Sequence, residues 1–246
     1  MTTAFVLLIG NELLSGKVHD RNGALAIESL RPLGIDVLGL EIVPDTHARI
    51  VQAIRRIRAE LAPSIVLTSG GIGPTHDDVT IGALAEALQR PLVRHEALAA
   101  RIREHYGSRT NDDVLTMADL PEGVVLDFGD SFFPLIAVDN VYALPGDPGY
   151  FQRKLTQLVS KLESDHPRFF THTLTLHAEE AAVAAILRRI QAEAPSVTIG
   201  SYPRLDAGRW ITLVTLDSRD PQAIDDVNRM LHSELPPGSI ATEERQ

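Results

Sequence analysis

Ser64-Ile-Val-Leu-Thr-Ser-Gly-Gly-Ile-Gly-Pro-Thr-His-Asp-Asp-Val-Thr80 is the stretch from which the rest of the chain can be read. An apolar run, Ser64 to Leu67, leads into three glycines, and an apolar-periodic helix, Ile81 to Leu88, follows. A strand, a glycine turn and a helix start in that order make an anion site, because free N–H groups and the positive helix end point at the turn. Gly70, Gly71 and Gly73 lack Cβ, so the backbone can approach a ligand closely. A β-branched residue at position 71 is therefore expected to weaken binding far more than folding. Asp77 and Asp78 stand at the helix start. As caps they would accept orphan N–H groups; beside a phosphate they would repel it unless a divalent cation or a proton intervened. A plain glycine turn with an Asp cap is the commoner occurrence. Three glycines, a proline and paired acids from Gly70 to Asp78 favour the ligand-binding reading. His76, the one histidine in the stretch, could donate to phosphate or simply be a surface residue.

Apolar runs and helical patterns alternate on either side of this turn. Ala4–Ile9 reads as a buried strand, Asp20–Leu33 as a helix capped by Asp20, and Asp36–Val43 as a second strand. His47–Leu61 carries Ile50, Val51, Ile54, Ile57 and Leu61 on one helix face. Strands separated by helices indicate βαβ units and a mostly parallel sheet, so the fold class is α/β. Ligands of such sheets bind beyond the carboxyl ends of the strands, where Gly10, Asp45 and Gly70 fall. Val93–Leu120 reads as helical with a break at 107–110 and a new cap at Asn111 or Asp112. Short strands and loops follow over 122–138, then a strand at Asn140–Leu144 and a helix at Tyr150–Glu163. After Pro167 the pattern changes to βαββα: Phe170–Leu176, Glu179–Ala192, Val197–Ser201, Trp210–Leu216 and Asp220–Leu231. Two domains are expected, 1–167 and a small α+β domain over 168–246.

With 246 residues, 44% hydrophobic and 23% charged, the composition is that of an ordinary globular protein. No apolar run is long enough to span a bilayer and no basic-then-apolar leader opens the chain, so no membrane partner is expected. The absence of cysteine excludes disulfides and thiolate metal sites and fits a cytoplasmic protein. A net charge of −10 argues against nucleic acid as a partner. A small anion held by a local turn remains compatible with that charge.

The glycine stretch lacks the Lys-Ser/Thr end of a P-loop and the spacing of the dinucleotide fingerprint. It resembles the signature of the molybdopterin-binding superfamily, Gly-Gly-x-Gly-Pro followed by Asp-x-Thr. The closer resemblance is to the CinA family, carried by Ile9-Gly-Asn-Glu-Leu-Leu-Ser-Gly16, Asp20-Arg-Asn22, Leu33-Gly-Ile-Asp-Val37, Leu144-Pro-Gly146 and Ile199-Gly-Ser-Tyr-Pro203. The resemblance implies a three-layer molybdopterin-binding-like fold and a homo-oligomer. It implies catalysis at a phosphate by Asp45 and Asp78, both also metal candidates, with Thr75 a phosphate donor beside Pro74. Gly10, Asn11, Glu12 and Ser15 in the first turn, Asp20 and Asn22 after it, and Pro145 and Gly146 in a second strand-to-helix turn would surround the ligand. From residue types alone, Asp45 could equally cap the helix after Thr46, and Asp20 and Asn22 could simply cap and hold their loop. Many relatives place Asp where Asn11 stands, so one metal ligand is missing here.

Longer CinA proteins continue into a nicotinamide-nucleotide amidase domain, an activity expected to be absent from this chain. Where CinA proteins carry Asn-Pro-x-Gly-x-Ala-Pro-Gly, this chain has Asp127-Phe-Gly-Asp-Ser-Phe-Phe-Pro134, a loop expected to border the substrate. Relatives of the first domain are similar to enzymes that hydrolyse nucleotide pyrophosphates such as ADP-ribose with a divalent metal (Mg²⁺, Mn²⁺ or Co²⁺), so the resemblance implies that activity as the first functional expectation. The alternative is a non-catalytic protein that binds molybdopterin or a nucleotide. A DNA-linked competence role is opposed by the charge. Arg204 and Arg209 flank a turn before Trp210 and could reach a phosphate, although a solvated hairpin is the commoner form of such a segment.

Overall fold

A computed structural model describes residues 2–162 and 168–245. The chain divides into two compact units, Met1–His166 and Pro167–Gln246. Pro167, the expected boundary, and Glu163, the expected end of a helix, lie outside the described residues.

In the first unit, β1 (Thr3–Ile9), β2 (Asp36–Val43) and β3 (Ile65–Ser69) alternate with helices α1 (Asn11–Leu14), α2 (Asn22–Leu30), α3 (His47–Arg56) and α4 (Thr80–Ala87). A short ribbon, β4 (Leu92–Arg94) with β5 (Asp119–Pro121), encloses α5 (Glu96–Tyr106) and α6 (Asp112–Thr116). Then come β6 (Val125–Asp127), β7 (Leu135–Val138), β8 (Val141–Leu144) and α7 (Pro148–Val159). The main sheet has the order β2-β1-β3-β8-β7-β6. Its first four strands are mutually parallel, and β7 runs antiparallel to both neighbours.

β1 and β3 read as unbroken apolar runs because helices cover both faces of the sheet. Phe5, Leu7, Ile9 and Val66 pack with Ile50, Ile54 and Leu84 on one face. Ala4, Val6, Leu8 and Leu67 pack with Ala26, Leu30, Phe151 and Leu155 on the other. This is the three-layer α/β fold that the sequence indicates.

Several boundaries differ from expectation for physical reasons. The helix after β1 starts at Asn22, where the Asp20 carboxylate accepts the N–H groups of Asn22 and Gly23 at 2.9 and 3.0 Å. It ends in a 3₁₀ turn, Arg31–Leu33, at Pro32. The helix expected over His47–Leu61 finishes as a π turn, Ile57–Leu61. Leu92–Arg94 and Asp119–Pro121 are strands rather than helix because they pair with each other, a contact no local pattern encodes. Asn111, not Asp112, caps α6 by accepting the Val114 N–H at 2.9 Å.

The second unit contains β9 (Phe170–Leu176), α8 (Glu180–Glu193), β10 (Thr198–Asp206), β11 (Arg209–Ser218), α9 (Pro221–Glu234) and β12 (Ile240–Arg245), with sheet order β10-β11-β9-β12, all antiparallel. Leu174, Leu176, Val214 and Leu216 face Val183, Ile190, Val227 and Leu231 of the two helices. β10 and β11 form the solvated hairpin expected around Arg204 and Arg209. Its two-residue turn, Ala207-Gly208, has positive φ at both positions (46° and 80°), the twist that suits a hairpin. Pro203 is tolerated because β10 is an edge strand.

The strand β12 was absent from the expected pattern. It brings Glu243 between two histidines. Glu243 lies 3.0 Å from Nε2 of buried His172 on β9 and 2.6 Å from Nε2 of His232 on α9. Burial opposes the Glu243 charge. The bonds from His232 and Asn228 and the fields of both imidazoles outweigh it and hold the carboxyl below its ordinary value. A depressed folded-state value means stabilisation that is present above the ordinary glutamate value of about 4.3 and lost as pH falls through the folded value. Unfolding of the full chain can be followed by Trp210, the only tryptophan, which sits in this unit. Glu243→Gln is expected to be destabilising near neutral pH, with the difference from wild type shrinking in acid. A difference independent of pH would remove Glu243 from the acid response.

Candidate functional site

Because β1, β2, β3 and β8 are parallel, their carboxyl ends share one edge of the sheet. Gly10, Asp45, Gly70 and Pro145 follow those ends and line a single cleft of about 550 Å³. Glu12, Gly71, Gly73, Asp77, Asp78 and Gly146 complete this side of it.

The glycine turn is built by backbone demands. Gly70 has φ 107° and Gly71 φ 68°. A Cβ on Gly70 would strike the Ile9 carbonyl, and one on Gly71 would strike the Thr80 hydroxyl. That hydroxyl is fully buried and donates to the Gly70 carbonyl at 2.8 Å, while the Thr80 N–H donates to Gly71 O at 3.0 Å. Among the described residues the N–H groups of Gly71, Ile72 and Gly73 have no acceptor. Neither acid caps α4, whose N-terminal flank is Val79 without a side-chain cap. Asp78 instead turns back on its own loop and accepts from the Thr75 N–H at 2.8 Å and from the Thr75 hydroxyl. The exposed Asp77 carboxyl is held below its ordinary value chiefly by the Thr75 side chain and its own N–H. His76 is 99% exposed and does not line the cleft.

Asp45 does not cap the helix after Thr46, which has no side-chain cap. Its carboxylate accepts from the Asn11 side-chain amide and, at 3.4 Å, from the Asn11 N–H. Asn11 is thus a donor to Asp45. It lies outside the cleft wall, as do Ser15, Pro74 and Thr75; the Ser15 hydroxyl closes α1 on the Glu12 carbonyl. Asp20 and Asn22 sit behind the floor in a small hollow. Asn22 is only 7% exposed, and its amide donates to Ser69 Oγ at 3.0 Å and Gly146 O at 2.8 Å. It ties two strand ends together and does not face the cleft. Asp147, in the second turn, caps α7 by accepting the Tyr150 N–H at 2.9 Å.

Sequence reasoning expected the 127–134 loop at the site but missed the rest of an aromatic wall. His105, Tyr106, Met117, Phe132, Phe133 and Tyr150 line the same cleft. Phe132 and Phe133 belong to the loop that departs from the CinA pattern, so that loop does border the site. Adjacent aromatics in a short inter-strand segment were the only available signal. His105 and Tyr106 gave none, because they end an ordinary amphipathic helix.

The lining carries the carboxylates of Glu12, Asp45, Asp77, Asp78 and Asp147, and no Lys or Arg among the described residues. Three open N–H groups contribute roughly 1–2 kcal/mol each to an anion. One unscreened like charge about 6 Å away costs roughly 3 kcal/mol at an effective dielectric near 20. A naked phosphate is therefore a poor ligand. No three Asp, Glu or His side chains among the described residues form a ready-made ion cage. Hard-oxygen carboxylates suit a hydrated Mg²⁺-type ion, which binds through one or two carboxylates together with ligand phosphates. The donor set fits such an ion arriving with its ligand.

Residues 5–164 match the family described as a probable molybdopterin binding domain. The chain belongs to that family. Residues 168–244 of this molybdopterin-binding-domain protein match the family described as FAD synthase, middle domain. The solved structure of the protein CinA with unknown function from Thermoplasma acidophilum superposes with a TM-score of 0.59 at 29% identity, over 65% of this chain and 96% of that one. A protein of Pyrobaculum calidifontis is 35% identical over 83% of this chain and 82% of its own length. A probable FAD synthase of Caenorhabditis briggsae is 28% identical over 97% of this chain, which spans 50% of that relative. The first unit is a CinA-like molybdopterin-binding-type domain.

The Thr80 contact adds a folding cost to the expectation that a β-branched residue at position 71 weakens binding far more than folding. Gly71→Ala places a side chain at positive φ against a buried, hydrogen-bonded hydroxyl. It is expected to cost about 1–3 kcal/mol of unfolding free energy in the first unit. Denaturant titration checks this; a wild-type midpoint would show that the turn relaxes around a methyl group.

Proposed function

We propose that the first unit hydrolyses a nucleotide pyrophosphate of the ADP-ribose kind with the help of a divalent cation. The observation that carries this reading is the combination of an open N–H turn with carboxylates and no basic side chain in one cleft. Such a site favours a phosphate only in the company of a cation, and Mg²⁺, Mn²⁺ and Co²⁺ are the ions its oxygen donors suit. Asp45 and Asp78 would hold that cation, which would supply charge neutralisation at the phosphates. The Gly71, Ile72 and Gly73 N–H groups would hold phosphate oxygens and keep the chain of phosphates against the turn. A water oxygen adds to one phosphorus as the bridging P–O bond breaks; the bridging oxygen leaves with the other phosphorus, the water's protons pass to the products or to solvent, and two phosphomonoesters result. The relative named probable FAD synthase supports a nucleotide with a pyrophosphate as the ligand class, since FAD is one. The synthase activity itself is not carried over, because this chain spans half of that relative.

A second reading, a non-catalytic binder of molybdopterin or a nucleotide, is favoured by one observation. Asp45 and Asp78 are both engaged by neighbours of their own chain. Incubation of the full chain with nucleotide pyrophosphates, with and without each metal, separates the two. Metal-dependent products are expected; tight binding without products would establish the binding protein.

Asp78→Asn tests the acid directly. Asn keeps an oxygen that can accept from Thr75, so folding should change little. Metal-stimulated turnover is expected to vanish while nucleotide affinity stays within about tenfold, or roughly 1.4 kcal/mol. Full retention of metal-dependent activity would remove Asp78 from the reaction and leave Asp45 or Asp77.

A further inference from the structure

The cleft has two chemically different ends. Beside the glycine turn, whose Ile72 shares a core cluster with Phe133, the His105 imidazole lies parallel to the Phe132 ring, with centroids 3.7 Å apart and planes 1° from parallel. Tyr106 meets both rings edge-on, at 5.1 and 6.4 Å. Phe133 meets Phe132 at 6.1 Å, and Tyr150 reaches the same cleft from the start of α7. Phe, Trp and Tyr make up only 5% of the chain, so this concentration in one wall is uneven. Core packing accounts for Phe133, which is 9% exposed. It does not account for His105 and Tyr150, which line the cleft while staying exposed to solvent. Phe132, the loop's other ring, is half-buried and stacks on the exposed His105.

We infer that this wall is the subsite for the flat heteroaromatic ring of the ligand, with Phe132 and His105 as its stacking platform. The inference rests on reading the cleft as a nucleotide site and adds what the nucleotide must carry. Aromatic faces attract a planar heterocycle through offset or edge-on contact, and each stacked base is worth a measurable share of affinity. At about 550 Å³ the cleft can hold a ring together with its tethered phosphates. The ligand class is therefore a ring-bearing pyrophosphate, with adenine, pterin and flavin sharing the required chemistry. Bare pyrophosphate engages only the polar end. Specificity for the ring lies in the Asp127–Pro134 loop, the segment in which this chain departs from the CinA pattern.

The test uses the full chain with Mg²⁺ and three probes: adenosine by calorimetry, riboflavin by quenching of its own fluorescence, and inorganic pyrophosphate by calorimetry. Phe132→Leu keeps the apolar bulk that seats the loop and removes the ring. His105→Ala alters an exposed side chain, which keeps the risk to folding small. Each is expected to weaken the better-bound ring probe about tenfold and to leave pyrophosphate binding unchanged. The adenosine and riboflavin arms report which ring type the wall prefers. A wild-type chain that binds neither ring probe overturns the inference, as do two folded variants that bind rings like wild type. Turnover is read separately, on nucleotide pyrophosphates with and without metal. An inactive chain whose ring affinity depends on Phe132 sinks the hydrolase reading alone, and an active chain indifferent to both substitutions sinks this one alone.

Discussion

Three strand ends of the first unit converge where no side chain fits. A Cβ on Gly70 would meet the carbonyl that closes β1, and a Cβ on Gly146 would lie 3.3 Å from the Gly70 Cα. Asn22 sits beneath this crossing and clamps it through Ser69 Oγ and the Gly146 carbonyl. Its two donated bonds contribute about 1 kcal/mol each, but its amide oxygen is buried without a partner, at a cost of about 1–3 kcal/mol. The net contribution to stability is close to zero. What the amide supplies is position: it fixes β3 and the turn after β8 relative to each other, and the floor of the cleft is made of those two turns. The open N–H groups begin one residue later: Gly70 still donates to the Leu144 carbonyl at 3.1 Å, and the positive φ of Gly70 and Gly71 then turns the backbone off the sheet ladder.

Much of this was legible in the sequence, for identifiable reasons. Helices on both faces force β1 and β3 into continuous apolar runs, and α3 must present Ile50, Val51 and Ile54 inward, so pattern alone located them. Asp36–Val43 and Phe170–Leu176 were read with their observed limits. What failed depended on contacts distant in sequence. β12 is Ile240-Ala-Thr-Glu-Glu-Arg245, mostly exposed and charged, and becomes a strand only because β9 offers it an edge. Likewise β4 exists only through β5.

The site was legible in part for the same reason. Gly10, Asp45, Gly70 and Pro145 could be grouped because parallel strands bring their carboxyl ends together whatever the details. The partners of the acids could not be read. Asp78 and Asp45 were read as acids at a phosphate with a helix cap as the alternative; neither caps, since Asp78 accepts from Thr75 and Asp45 from Asn11. Asn22 was read as facing a ligand, yet a buried amide two residues after a capping Asp is equally what a structural clamp requires. The aromatic wall comes from α5, the loop after β6 and α7, three segments that no local pattern joins.

The Asn11–Asp45 pair bears on how cation and nucleotide would share the cleft. Where the family pattern places Asp at position 11, two carboxylates would face each other, and a cation between them would relieve their repulsion even without a nucleotide. Asn11 replaces that repulsion with a donated hydrogen bond, so an empty cleft gains less from taking up an ion. The remaining acids still oppose a bare phosphate. On the proposed reading each partner therefore needs the other: the ion gains its missing oxygens from the phosphates, and the phosphates gain a counter-charge that no lysine or arginine of the lining provides. Linkage makes that dependence reciprocal, so whatever factor the ion adds to nucleotide affinity, the nucleotide adds to ion affinity. On the proposed reading, a single amide in place of a carboxylate would move the site from one that could hold a metal by itself toward one assembled by its ligand.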